Sequence, residues 1–141
     1  MKHLTATFLL FFCLSAPAYA DHLQFESPWL REPPPVSKVA AAYATIHNRS
    51  NHDHYIKSVS SPAFGSIEMH KVITVNGAKR MVELTKAKIP AKGKFTMQRG
   101  GFHIMLFNPT RAIRAGDKIP LSFTLGNGKK FTVIFPVKTA Q

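Results

Sequence analysis

Short runs rich in Val, Ile, Thr, Phe and Tyr recur along the chain between turn signals, roughly every ten residues, and no segment holds a 3.6-residue apolar period for long. That pattern predicts β-strands and no long helix. The expected strands are Val39 to Asn48, His54 to Ser61, Ser66 to Val75, Ala78 to Leu84, Lys94 to Gln98, Gly101 to Asn108, Lys118 to Leu125 and Lys129 to Val137. Between them lie "NRSNHD", "SSPAFGS", "NG", "AKG", "RGG", "NPTRAIRAGD" and "GNG", stretches whose residues tolerate turn dihedrals. So many short strands predict an all-β single domain, a small sandwich or barrel. "REPPPVS" (Arg31 to Ser37) is poor in backbone donors and suits an extended edge crossing that leaves an N-terminal segment carrying Trp29.

The start of the chain changes this picture. Lys2 and His3 precede the apolar stretch "FLLFFCL", which is too short to span a bilayer, and Ala18-Tyr19-Ala20 forms a small-residue cleavage pattern. Residues 1–20 are therefore expected to be a signal peptide cut after Ala20, leaving an exported domain of residues 21–141 that does not span the membrane. Cys13 is the single cysteine and would leave with the signal, so an oxidising compartment is entered with neither disulfides nor thiolates.

Charge narrows the partners. There are 19 Lys and Arg against 7 Asp and Glu, a formal charge of +12. The lysines (Lys71, Lys79, Lys86, Lys88, Lys92, Lys94, Lys118 and Lys129 among them) are scattered over solvent-facing and loop positions, with no aromatic stacking motif between them. Nucleic acid is not expected as a partner. The balance fits a solvated surface, or steering toward an acidic protein or an anionic membrane face. No nucleophile elbow and no convincing carboxylate pair is visible, so a binding protein rather than an enzyme is expected.

Candidate chemistry sits in "EMHKVITVNGAKRM" (Glu68 to Met81) and in "GGFHIMLFN". If Asn76-Gly77 is a two-residue type I′ turn, Val75 pairs with Ala78, Val72 with Met81 and His70 with Glu83. Residues two apart share a strand face, so His70 and Met81 become diagonal neighbours about 7 Å apart at Cβ. A three-residue loop would instead throw them onto opposite faces. His103 and Met105 likewise share one face of their strand. Two imidazoles and two thioethers can thus surround one point. A thioether is a soft, uncharged donor that does little for zinc, calcium or magnesium, whereas Cu(I) is soft and closed-shell and accepts tetrahedral or lower coordination. One Cu(I) ion is the expected occupant. A blue-copper electron-transfer site is excluded because it requires a cysteine ligand.

Other His and Met residues have plainer readings beside their functional ones. Met97 reads as core filler. Met69, next to His70, is turned to the opposite face by alternation and is retained only as an alternative ligand. His52 and His54 flank Asp53 in a loop that could hold Cu(II) loosely, though a solvated turn explains it as well. His22 would be the second residue after cleavage and could bind Cu(II) together with the terminal amine; an oxidative enzyme with an N-terminal histidine would require cleavage after Asp21 instead.

His70, ten residues, Met81, twenty-one residues, His103, one residue and Met105 resembles the H-x10-M-x21-H-x-M motif of the periplasmic PCuAC-type copper chaperones, without gap or substitution. "PWLREPPP", "AAAYATIHN", "VSSPAFGSIEMH", "RGGFHIML" and "AGDKIPLSFTL" also fall in family order, so the resemblance covers nearly the whole exported chain. It implies a cupredoxin-like β-barrel in the periplasm with His70, Met81, His103 and Met105 as ligands to one Cu(I); apart from the resemblance, a monomer is expected. It further implies delivery of copper to the cytochrome c oxidase subunit carrying CuA, alongside a Sco-type thiol protein. Sequestration of copper for resistance would use the same ligands.

Overall fold

The strand Lys118–Leu125 shows how the sequence writes the fold: Ile119, Leu121, Phe123 and Leu125 are buried, while the residues between them are half-buried or exposed. Val39–Asn48 follows with Ala40, Ala42, Ala44 and Ile46 buried, though Tyr43 on its other face is buried too. Such a two-residue period places one face of each strand against a core and the other toward water. The computed structural model describes residues 22–139; the expected signal, residues 1–20 with Cys13, lies outside the described residues.

Ten strands are formed: β1 (Leu23–Arg31), β2 (Val39–Asn48), β3 (His54–Ser60), β4 (Phe64–Val75), β5 (Ala78–Glu83), β6 (Ala87–Ile89), β7 (Lys94–Met97), β8 (Phe102–Pro109), β9 (Lys118–Leu125) and β10 (Lys130–Lys138). They run in the order β5-β4-β8-β7-β2-β1-β10-β9-β3-β6. The pairing is antiparallel except at β1–β10 and β7–β8. β1 joins the two halves, pairing along β2 on one side and placing Leu30 and Arg31 beside Val137 and Lys138 of β10 on the other. The halves bury a common core to which Leu30, Ile46, Ile104 and Leu106 contribute from one and Ile56, Ile119, Leu121, Phe123 and Phe135 from the other. Phe25, Phe123, Phe131 and Phe135 pack ring against ring within it. No helix among the described residues is long and apolar enough to cross a membrane.

All eight expected strands are present, β2 and β9 with the expected ends and the others displaced by one or two residues, and two strands were not expected. β1 escapes the alternation test because its register shifts between Glu26 and Trp29, where Ser27 has φ 48° and Pro28 follows. Such a bulge inserts a residue and breaks the two-residue period. β6 is three residues long, too short for any period, and is defined by its pairing with β3.

The turn between β4 and β5 is the two-residue form. Asn76 and Gly77 both have positive φ (50° and 78°), as a type I′ turn demands, and Val75 faces Ala78. The register that follows is His70 with Glu83 and Val72 with Met81, as the sequence predicted.

Candidate metal centre

Three neighbouring strands build the site. In β4 and β5 the register sets Met81 across from Val72, diagonal to His70. In β4 and β8 it sets His70 directly across from His103 and Glu68 across from Met105. Directly paired residues share a face, and so do residues two apart along a strand. His70, Met81, His103 and Met105 therefore occupy one face of β5-β4-β8, the face turned away from Met69, Ile104 and Leu106. The His70 and His103 rings lie 5.9 Å apart between centroids, tilted by 42°.

The four differ in depth. His103 is buried at 7% exposure, His70 and Met105 are half-buried, and Met81 is 59% exposed on β5, the terminal strand of the order. That exposure leaves the Met81 thioether, a soft donor, accessible at the lip of the face.

Each ring is held by one nitrogen. His103 Nδ1 lies 3.0 Å from the Gly101 carbonyl, which can only accept, so Nδ1 carries the hydrogen and Nε2 keeps its lone pair. His70 Nε2 lies 2.7 Å from Glu68 Oε2. His70 Nδ1 is buried and has no hydrogen-bond partner. An orphaned buried nitrogen is costly unless something occupies its lone pair. The donor set thus fits a cation: two imidazole lone pairs and two thioethers on one face. Among the described residues no group of three or more His, Cys, Asp or Glu could hold a metal ion. Thioether participation points to a soft ion.

The remaining sequence candidates lie elsewhere. Met69 faces the core across from Ile104, and Met97 is buried beside Ala44. His54 Nε2 lies 3.1 Å from the Ser50 hydroxyl, and His52 is exposed. Asp53 between them is engaged by Lys88 at 2.7 Å and by the Ala91 N–H at 2.9 Å. The Lys88 hydrogen bond, followed by the Ala91 N–H, holds its carboxyl below the ordinary 3.8. The "NHDH" loop is thus a constructed turn at the head of β3. His22 is exposed at φ 63°, with its carbonyl accepting the Arg49 N–H. Two contributors, Glu68 and Gly101, were not singled out from the sequence. Each stands two positions before the histidine it holds, Glu68 on the same face of β4 and Gly101 just ahead of β8 through its backbone carbonyl, and the alternation that paired His103 with Met105 could have found Glu68.

The LpqE-like family model matches residues 23–137, nearly all of the described chain. The chain belongs to the LpqE-like family. It is 30% identical over 120 residues to "Putative lipoprotein Lxx21020" of Leifsonia xyli subsp. xyli, a match covering 84% of this chain and 71% of that protein. In structure, this LpqE-like chain is similar to the copper-bound PCuAC domain from PmoF2, with a TM-score of 0.72 and 21% identity, covering 86% of this chain and 97% of that one. It is also similar to the CuI-DR1885 solution structure from Deinococcus radiodurans, with a TM-score of 0.62 and 26% identity over 79% of this chain and 75% of that one. The resemblance to the PCuAC-type family read from the His/Met spacing is borne out, as is the all-β, cupredoxin-like fold.

Proposed function

We propose that this LpqE-like chain is an exported, periplasmic copper chaperone that carries one Cu(I) on His70, Met81, His103 and Met105. We propose further that it supplies that copper to the CuA-bearing subunit of cytochrome c oxidase, beside a Sco-type thiol protein. The observation that carries this reading is the β5-β4-β8 register, which gathers the four donors on one face with the buried His70 Nδ1 lacking a partner. The two structural relatives, one copper-bound and one a CuI form, support the choice of metal. The lipoprotein name of the curated relative supports export.

The chemistry of handover follows from the donors. All four are neutral, so the bound ion keeps its positive charge, and among the described residues there is no thiolate to hold it as tightly as a sulfur cage would. Met81, exposed at the lip, is the donor that an incoming ligand meets first. An acceptor thiolate can bond to the ion there before the deeper imidazoles release it. The chain binds and transfers; it performs no bond-making on an organic substrate.

Transfer separates delivery from storage. The Cu(I)-loaded chain is mixed with an apo CuA domain, and the metal content of each is measured after separation. Delivery predicts copper on the acceptor. Copper remaining on the chain beside a competent acceptor supports sequestration instead.

A further inference from the structure

Resting on the copper reading above, we infer that Glu68 is a positioning residue that decides which nitrogen of His70 meets the ion. The two histidines of the site are held in opposite senses. His103 is anchored through Nδ1, which leaves Nε2 for a metal; His70 is anchored through Nε2, which leaves Nδ1. A neutral imidazole carries one hydrogen, and an ionised carboxylate can only accept. The 2.7 Å contact to Glu68 Oε2 therefore places the hydrogen on Nε2 and the lone pair on the buried, unpartnered Nδ1.

Glu68 reaches this position through the register. It precedes His70 by two on β4, so both side chains leave the same face, and it stands across from Met105 on β8. The His70 side chain is only 15% exposed and Glu68 37%, so the carboxylate closes the ring's outer side while His70 Nδ1 turns inward. A second carboxylate, Glu83, shares this face directly across from His70 yet makes no hydrogen bond to the ring. Proximity of negative charge and control of the ring are thereby separable, because only Glu68 does both. Partners of this kind orient ligand imidazoles and raise their basicity, and losing one costs about ten- to a hundredfold in metal affinity.

The test uses the whole exported chain with Cu(I) itself, its affinity read by competition with a Cu(I)-specific chelator. Glu68→Ala should weaken binding by about ten- to a hundredfold. Glu68→Gln, which keeps an acceptor oxygen at the same reach, should recover most of the loss, and Glu83→Ala should leave affinity unchanged. In metal-free protein, nitrogen-resolved NMR should show a protected His70 Nε2–H proton in wild type and Glu68→Gln that exchanges away in Glu68→Ala. In the Cu(I) form, the metal-bound nitrogen of His70 should be Nδ1. Wild-type affinity in Glu68→Ala overturns the assignment. So do a Gln variant as weak as Ala, an equal loss in Glu83→Ala, and copper on His70 Nε2. If wild type itself binds no Cu(I), the copper reading fails, while the ring-proton measurement still judges the hydrogen bond.

Discussion

A chain carrying Met81→Leu together with Met105→Leu is expected to fold like wild type and to bind Cu(I) at least about a hundredfold more weakly. The scale comes from residues that merely support metal ligands, whose loss costs about ten- to a hundredfold each; removing two donors outright should cost no less. Folding should be spared for reasons visible in the structure. Leucine nearly conserves methionine's volume, a swap that costs under about 1.5 kcal/mol even in a packed core. Met81 is mostly exposed and Met105 half-buried, so neither site is tightly packed. Met97→Leu is the matching control, a buried methionine against Ala44, expected to leave copper binding unchanged. Denaturant unfolding and chelator competition on the same preparations check both halves. Equal affinity in the double variant and the wild type would remove the thioethers from the site.

Phe123→Ala should have the largest effect on stability, about 3–5 kcal/mol. Phe123 is fully buried on β9 and meets the rings of Phe25 at 4.9 Å, Phe131 at 5.5 Å and Phe135 at 6.1 Å. Truncation removes the ring's own burial and leaves its three aromatic neighbours facing a void that the rigid sheets cannot close. A domain of ordinary stability, about 5–15 kcal/mol, would lose a large share of its margin. β9 lies in the half of the strand order away from β5-β4-β8, so the folded fraction should keep wild-type Cu(I) affinity. Denaturant titration measures the first expectation and chelator competition below the unfolding transition the second. A loss under about 1 kcal/mol would mean that the cluster repacks, contrary to the close packing of such cores.

Much of this architecture was legible because a two-residue period is hard to mistake where one strand face is buried. β2 and β9 match their sequence boundaries, and the Asn76-Gly77 turn gave the hairpin register residue by residue because type I′ geometry leaves no freedom of phase. β1 and β6 were not legible. The bulge at Ser27 and Pro28 breaks the first, and the second is a strand only through a long-range partnership with β3. Within the site, shared faces of His70 with Met81 and of His103 with Met105 followed from alternation alone. That the two pairs meet required β4 to lie beside β8, which no local pattern encodes. The same long-range pairing explains the depth gradient from buried His103 to exposed Met81. The hydrogen bonds fixing each ring stayed hidden because Glu68 and Gly101 read as an ordinary strand residue and an ordinary turn residue.

The central claim is that two imidazoles and two thioethers of this chain bind one soft ion together. X-ray absorption at the copper edge of the Cu(I)-loaded protein tests it most directly, because sulfur and nitrogen neighbours scatter distinguishably. One copper per chain in a mixed shell of two imidazole nitrogens and two sulfurs is the predicted result; a shell of nitrogen and oxygen alone would contradict it.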